Sequence, residues 1–322
     1  MTPQSTPVPP PGVPAWRRYL FPVVLLVALA AVGIMYQLNG GIISGLGYFY
    51  QPFAYLAVAL LIVLGFRFVL DRLTPYNDTA DVVERAIGPI GLQRGALYVG
   101  LLIGMSGSLM ARPHEFYSNI GTFTLDGVIV AAALVISTWV TDKYLLLHVK
   151  NSLELEAGNW AVAIVETGAY LALGFILNGA FAGVGGGWLS GLEFWLIGQA
   201  TLAAVYGLYE WRTRCDVDIE IRERNVALGI EVGAFLLAIG IVERFAIVGP
   251  FTGWWRDIVS YLEALIPGLI AIAIVMWIVD LVFLPRVTLR GKPHHRNIAA
   301  SLVVAGVAVG ASVLVGAALS AL

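Results

Sequence analysis

The chain has 322 residues, of which 59% are hydrophobic and only 12% are charged, and its mean hydropathy is +0.83. An ordinary soluble domain has about 25% charged residues, so this composition excludes a soluble fold. The net charge of −2 and the absence of a basic cluster typical of nucleic-acid binding give no sign of a nucleic-acid partner. The single cysteine, Cys215, excludes an intramolecular disulfide.

The first 15 residues contain six prolines and no charge, which is typical of a disordered or polyproline-like tail. Arg17 and Arg18 then precede an apolar run over 19–36, which we predict to be the first transmembrane helix. A cleaved signal peptide is the alternative, because residues 28–30 (Ala-Leu-Ala) imitate a cleavage site. The continuation of the run to Tyr36 favours the helix.

Eight further apolar runs are long enough to cross a hydrocarbon core about 30 Å thick. The sequence therefore predicts an all-α, polytopic transmembrane bundle of nine helices, at 19–36, 53–70, 91–110, 125–147, 160–182, 192–211, 226–247, 261–284 and 298–321.

The distribution of Lys and Arg predicts the orientation of these helices. With nine spans, one side of the membrane holds only Arg112, Arg244 and Arg256, so the other side holds 16 of the 19 basic residues. Cytoplasmic loops carry the basic excess. We therefore expect the N-terminus in the cytoplasm and the C-terminus outside.

Acidic residues recur along the chain with a period of about 70 residues. The even-numbered helices end on an acid that follows an aromatic residue, and the spacings are 71, 68 and 70 residues; these inner helix-end acids are Asp71, Asp142, Glu210 and Asp280. The outer helix starts carry Asp126, Glu193 and Glu263. A third set precedes the odd helices, at Glu84, Glu154 and Glu220, and the last two are followed five residues later by Asn159 and Asn225.

This period predicts four repeated two-helix hairpins and one C-terminal helix. The expected organisation is a Pro-rich cytosolic tail (1–15), hairpins at 16–75, 76–147, 148–215 and 216–286, and a basic loop with the terminal helix (287–322). Each unit has an even number of spans, so successive units enter the membrane the same way round, and any pseudo-symmetry axis should run along the membrane normal.

Two segments resemble a known family. Residues 154–179 (ELEAGNWAVAIVETGAYLALGFILNG) and 220–240 (EIRERNVALGIEVGAFLLAIG) are similar to the YjfL-type family of bacterial inner-membrane proteins, which is built from such hairpins. Arg224 stands in the second segment where Gly158 stands in the first. The resemblance implies a bacterial inner-membrane protein containing a domain of unknown function.

Ionisable groups inside a bilayer are costly and suggest function. Glu166 and Glu231 lie at nearly equal depth in equivalent helices, seven residues after Asn159 and six after Asn225. With Asn178 they form the predicted intramembrane polar site, as an ion or proton site between hairpins that faces protein or water. Buried acids bonded to neighbouring helices are the alternative, and Asn178 by itself is typical of interhelical hydrogen bonding.

The outer acids are expected at one level, as a ring at a pore mouth. The alternative is that each lies in the first turn of its helix, where an acid is favourable. The inner acids lie at helix C-termini, where we expect them to pair with basic residues such as Arg72, Lys143 and Arg212. Among the many glycines at four-residue spacing, Gly306 and Gly310 are interpreted as a packing or oligomer contact.

The sequence contains no metalloprotease helix, P-loop, dinucleotide-binding loop or nucleophile elbow. We therefore predict no enzyme activity, no catalytic residue, no cofactor and no metal; His294 and His295 are interpreted as lipid-headgroup contacts. The lipid bilayer and a homo-oligomer are the expected partners. An ion or small-solute channel or transporter that uses the intramembrane carboxylates is the favoured function, and a structural or envelope-stress membrane protein without transport is the alternative.

Overall fold

The computed structural model describes residue 24 and residues 44–110, 116–146, 149–183, 185–213, 216–279, 281 and 296–320. The predicted tail, the predicted first helix at 19–36 apart from residue 24, Cys215, Asp280, His294 and His295 lie outside these residues. The chain divides into two compact units, 1–61 and 62–322. The described part of the first unit contains the beginning of the first described helix, and all of the packing below belongs to the second unit.

Every regular element in the described residues is a helix. In chain order they are α1 (Ser44–Leu73), a short π-helix (Asp78–Glu84), α2 (Gly88–Met110), α3 (Phe116–Tyr144), α4 (Asn151–Glu156), α5 (Trp160–Ala182), α6 (Gly187–Thr213), α7 (Val217–Arg222), α8 (Val226–Ile247), α9 (Trp254–Ile278) and α10 (Ile298–Leu319).

The long helices have 22 to 30 residues, which corresponds to about 33–45 Å at 1.5 Å per residue. By length and apolar composition, six helical segments within the described residues qualify as membrane spans: Gln51–Leu73, Asn119–Tyr144, Trp160–Ala182, Val226–Ile247, Trp254–Ile278 and Ile298–Leu319. The chain is therefore a multi-pass membrane protein. The sequence also predicts membrane spans at the two remaining long helices, α2 and α6, which are less apolar than these six segments.

Helices α2, α5, α8 and α10 lie side by side and run in the same direction. Along α2 and α5 the contacts advance together, from Gly88 against Trp160 to Gly107 against Asn178. Between α5 and α8 they advance from Ala161 against Gly229 to Gly179 against the backbone of Arg244, and the α8 and α10 pair follows the same order. We call the end of the bundle where these four helices begin the cap side.

Glycines permit this close approach. A Cβ on Gly100 would lie 2.7 Å from the Tyr170 carbonyl oxygen, and a Cβ on Gly233 would lie 2.6 Å from the Ile164 carbonyl oxygen. A Cβ on Gly306 or Gly310 would meet nothing within 4 Å. The interpretation of this last pair as a packing contact within the chain is therefore wrong, because no described atom packs against either glycine, and their role as an oligomer contact stays a prediction.

A similar turn precedes three of the parallel helices. Each turn follows a short helix and contains one residue with positive φ: Ala86 (52°), Gly158 (81°) and Arg224 (63°). Arg224 thus adopts the left-handed conformation that glycine favours, and its guanidinium donates to the carbonyl of Ala157 at 2.9 Å. The replacement of Gly158 by Arg224 leaves this turn intact.

Asparagine caps begin α5, α8 and α10. The side-chain oxygens of Asn159, Asn225 and Asn297 accept hydrogen bonds from backbone N–H groups in the first turn. The same side chain of Asn159 donates to Glu154 at 3.1 Å, and that of Asn225 donates to Glu220 at 3.0 Å. The two acid and asparagine pairs seen in the sequence therefore form the same local structure twice.

Five helices begin earlier than their apolar runs indicate. They are α1 (Ser44 rather than 53), α2 (Gly88 rather than 91), α3 (Phe116 rather than 125), α6 (Gly187 rather than 192) and α9 (Trp254 rather than 261). Most of the additional residues are aromatic, polar or glycine. They lie outside the apolar run and still continue its helical backbone, because helix formation does not require every residue to be apolar.

Candidate intramembrane carboxylate site

Glu166 lies in the second turn of α5 and is almost completely buried, with 1% of its surface exposed. Its Oε2 accepts a hydrogen bond of 2.8 Å from Nε2 of Gln93 on α2. Its Oε1 has no hydrogen-bond partner among the described residues. The same Gln93 nitrogen donates to the hydroxyl of Tyr76 at 3.1 Å, so the carboxamide joins the carboxylate to the segment between α1 and α2.

Asp142 and Asn151 lie beside Glu166. The Asn151 amide donates to Asp142 at 3.3 Å and also lies next to the Glu166 carboxylate, which is close enough to Asp142 for electrostatic repulsion. We call Glu166, Gln93, Tyr76, Asp142 and Asn151 the cap-side cluster. It brings together one predicted intramembrane acid and one predicted helix-end acid, with two amides and a phenol that sequence reasoning missed.

Arg94 follows Gln93 in the sequence but belongs to a neighbouring ion network. Its guanidinium is 2.9 Å from Asp78 Oδ1 and 3.5 Å from Asp71 Oδ1, and it donates to the Thr74 hydroxyl at 2.6 Å. Arg67 also lies 3.5 Å from Asp78. Two arginines thus face two aspartates, and the positive charge of this network is already balanced.

Tyr76 stands between the network and the cluster. Its ring faces the Arg94 guanidinium at 5.3 Å, and its hydroxyl accepts from Gln93. Burial raises the pKa of Tyr76 above its usual range, and the Glu166 carboxylate raises it further. The phenol therefore remains neutral and contributes an oxygen to the cluster without adding charge.

Glu231 and Asn178 lie at other helix contacts. Glu231 on α8 accepts a 2.7 Å hydrogen bond from the buried Ser301 hydroxyl on α10. Asn178 is 12 residues after Glu166, about 18 Å along α5; it donates to the Ile103 carbonyl at 2.9 Å and accepts from Arg244 at 2.6 Å. The three members of the predicted polar site are therefore held at separate places.

The outer acids differ in their surroundings. Asp126 is buried, Glu193 is partly buried and Glu263 is exposed. Because α3, α6 and α9 begin six to ten residues before these acids, the alternative that the acids occupy first helical turns is wrong. A ring at a pore mouth stays a prediction.

The described inner helix-end acids have varied partners. Asp71 pairs with Arg67 and Arg94, whereas the Arg72 guanidinium lies over the Phe68 ring at 4.6 Å. Asp142 accepts a hydrogen bond from Asn151 and is close enough to Lys143 for electrostatic attraction, as expected from the sequence. Glu210 accepts a hydrogen bond from the hydroxyl of Tyr206 at 2.9 Å.

Glu243 is a buried acid that sequence reasoning missed. It is fully buried on α8, the Tyr261 hydroxyl lies 3.4 Å from its Oε2, and its Oε1 has no hydrogen-bond partner within the part of the chain described. Gly198 leaves room for it, because a Cβ there would lie 2.8 Å from Oε2. The adjacent Arg244 suggests an ordinary ion pair in the sequence, yet in the structure Arg244 donates to Asn178.

Comparison with known proteins gives one family. The family described as Domain of Unknown Function (DUF350) matches residues 40–181 and again 184–319. Each match contains four of the long helices, and the capping residues Asn159 and Asn297 are 138 residues apart. The same offset places Glu231 of the second copy at the position of Gln93 in the first.

No curated protein and no solved structure matches the chain. The two matches confirm the expectation of a repeated domain of unknown function, and they do not carry the YjfL name. Because they cover most of the sequence, the chain belongs to the DUF350 family and contains this domain twice.

Proposed function

We propose that this protein is an ion or small-solute transporter of the bacterial inner membrane and that the cap-side cluster is its binding site. The proposal includes nine transmembrane helices, with the N-terminus in the cytoplasm and the C-terminus outside. Helix α2 supports this count because it packs in parallel against α5 from Gly88 to Gly107, so it crosses the membrane with α5. The basic side of the predicted topology is then the cap side.

The observation that carries the proposal is the state of Glu166. Burying a carboxylate is costly unless it is paired, and a buried polar atom without a partner costs about 1–3 kcal/mol. Glu166 has one bond from a neutral amide, one oxygen without a partner, and a second acid nearby. Such an arrangement gains stability when a proton or a cation enters, which is the property a transport site needs.

The same cluster argues against a purely structural role. Glu231 and Ser301 satisfy each other across α8 and α10, as expected of a polar contact that only holds helices together. Glutamine at position 166 would make a comparable bond without the cost of a buried charge. The close glycine contacts are compatible with the structural or envelope-stress alternative, and they are equally compatible with a rigid transporter scaffold.

Flux through proteoliposomes tests the proposal. The full chain is reconstituted, an Na⁺ gradient or a pH gradient is imposed, and uptake of ²²Na⁺ or the internal pH is followed. We expect flux with the native chain and a loss of about tenfold or more with Glu166→Gln, since a ligand is removed. Glu156→Gln is the matched control, because this helix-borne glutamate at the end of α4 is exposed and belongs to neither the cluster nor the predicted outer ring. Silent vesicles containing folded native protein would favour the structural alternative.

A further inference from the structure

We infer that the cap-side cluster binds one monovalent alkali cation of the sodium class and that the Glu166 carboxylate is its charged ligand. The inference deepens the proposed function and rests on its choice of site. It concerns binding, which can be measured whether or not the protein transports the ion.

The oxygen atoms of the cluster are the possible ligands of a cation. Three oxygens of the cluster have no partner with hydrogen-bond geometry among the described residues: Oε1 of Glu166, Oε1 of Gln93 and Oδ1 of Asn151. The Asn151 amide approaches Glu166 and the Tyr170 hydroxyl approaches Gln93, and neither contact has the geometry that would satisfy these oxygens. Glu166 and Gln93 are 1% and 5% exposed, so water does not satisfy them from the surface. Because buried polar atoms are nearly always bonded, three such oxygens on adjoining side chains indicate a missing ligand, and an all-oxygen set suits a hard cation.

The charge of the cluster also favours a cation. Glu166, which is buried, and Asp142, which is exposed, supply two carboxylates, while Gln93, Asn151, Tyr76 and the neighbouring Tyr170 supply only neutral groups. Arg94 is engaged by Asp71 and Asp78. Lys143 lies over the Trp139 ring at 5.5 Å and is close enough to Asp142 to offset part of its charge, so the carboxylate of Glu166 is the one without a base beside it. The cluster therefore has an excess of negative charge that one cation or one proton relieves.

The donor set favours a monovalent ion over a divalent one. In the described ranges no group of three or more His, Cys, Asp or Glu side chains is placed to hold a metal ion. Calcium sites use six to eight oxygens with several carboxylates, and magnesium demands nearly ideal octahedral geometry. The cluster offers two carboxylates, two amide oxygens and a phenol, and Asp142 already accepts a hydrogen bond from Asn151. This set of ligands matches a weakly held monovalent ion better than a divalent one.

The second family copy lacks the same site. Glu231 replaces Gln93 and is bonded to Ser301, and the offset of 138 residues places Val304 at the position of Glu166. At this place the second copy therefore has a carboxylate, a hydroxyl and an apolar side chain, whereas the first copy has a carboxylate and an amide. We expect one cation per chain.

Binding of ²²Na⁺ to the purified full chain in detergent tests the inference. At about pH 8, where a free carboxylate is ionised, the native protein should bind Na⁺ saturably with one site per chain. Glu166→Gln should abolish binding, and Asp142→Asn should weaken it about tenfold. Glu156→Gln should bind as the native chain does, because Glu156 is exposed and lies outside the cluster. Asn151→Ala is a second test that leaves both carboxylates in place, and it should also weaken binding.

Several results would overturn the inference: no saturable binding to folded native protein, binding unchanged in Glu166→Gln, two sites per chain, or displacement by Ca²⁺ at much lower concentration than by Li⁺. The proposed function fails separately. Na⁺ binding with silent proteoliposomes keeps this inference and refutes transport. Flux that depends on Glu166 without Na⁺ binding keeps transport and refutes the sodium-class ligand.

Discussion

Replacing Gly174 by alanine tests whether the α2 and α5 contact holds the carboxylate site together. Gly174 lies two turns beyond Glu166 on α5. A Cβ there would be 2.6 Å from both the Cα and the carbonyl oxygen of Gly100, whereas ordinary contact begins at 3.4 Å. The opposing atoms are backbone atoms, so a change of rotamer cannot relieve the overlap. The two helices must therefore separate locally by about 0.8 Å, the difference between these two distances.

Such overpacking costs on the order of 1–3 kcal/mol. We expect Gly174→Ala to lower the temperature of unfolding and to weaken the bond from Gln93 to Glu166, because the separated helices carry these two side chains. Thermal unfolding in detergent measures the first effect, and Na⁺ binding measures the second.

Gly310→Ala on α10 is the matched control, since a Cβ at this position meets nothing within 4 Å. It should unfold at the native temperature or slightly above it, because alanine favours a helix over glycine. Equal unfolding temperatures for Gly174→Ala and Gly310→Ala would refute the argument that backbone contact between α2 and α5 is tight.

Three further predictions concern the caps, the pH and the topology. Asn159→Ala should cost about 1–2 kcal/mol of stability by removing a helix cap, and Asn159→Ser should restore part of it, as thermal unfolding would show. Hydrogen bonds from the Asn77 backbone N–H and from Arg85 hold the pKa of Asp81 below its usual value of 3.8. The resulting stabilisation is complete above pH 3.8 and disappears as the pH falls through the pKa of the folded state. Asp81→Asn should therefore make the unfolding temperature depend less on pH in the acidic range. A reporter active only in the cytoplasm should work after Lys150 and fail after Leu322, and activity after Leu322 would contradict the nine-helix topology.

Two helices could be predicted to the residue. Helices α5 and α8 have the bounds expected from the sequence, because Asn159 and Asn225 are strong capping residues directly before apolar runs. Helix α3 could not be placed as well, since its first nine residues (FYSNIGTFT) are mostly aromatic or polar and resemble a loop. Hydropathy marks the apolar part of a helix, whereas the helical backbone continues beyond it.

The candidate site could be predicted only in part. A carboxylate within an apolar helix is visible in the sequence, so Glu166 was expected to matter. Its partner Gln93 is 73 residues away, and nothing in the spacing indicates that an amide on α2 points at this carboxylate. Glycine spacing was equally uninformative, because 36 glycines give many pairs by chance and only the helix contacts separate Gly100 from Gly306.

The parallel row of α2, α5, α8 and α10 has an electrical consequence. Each helix carries about half a positive charge at its N-terminus from its aligned peptide dipoles, and here four N-termini lie at one side of the bundle. Helices α1, α3, α6 and α9 run the other way and end at the same side, where their C-termini carry the opposite partial charge, so the positive field is confined to the first turns of the row. Glu154 and Glu220, bonded to the capping asparagines, stand where this field favours anions, so the recurring acids of the turns act as built-in counter-ions for the helix row.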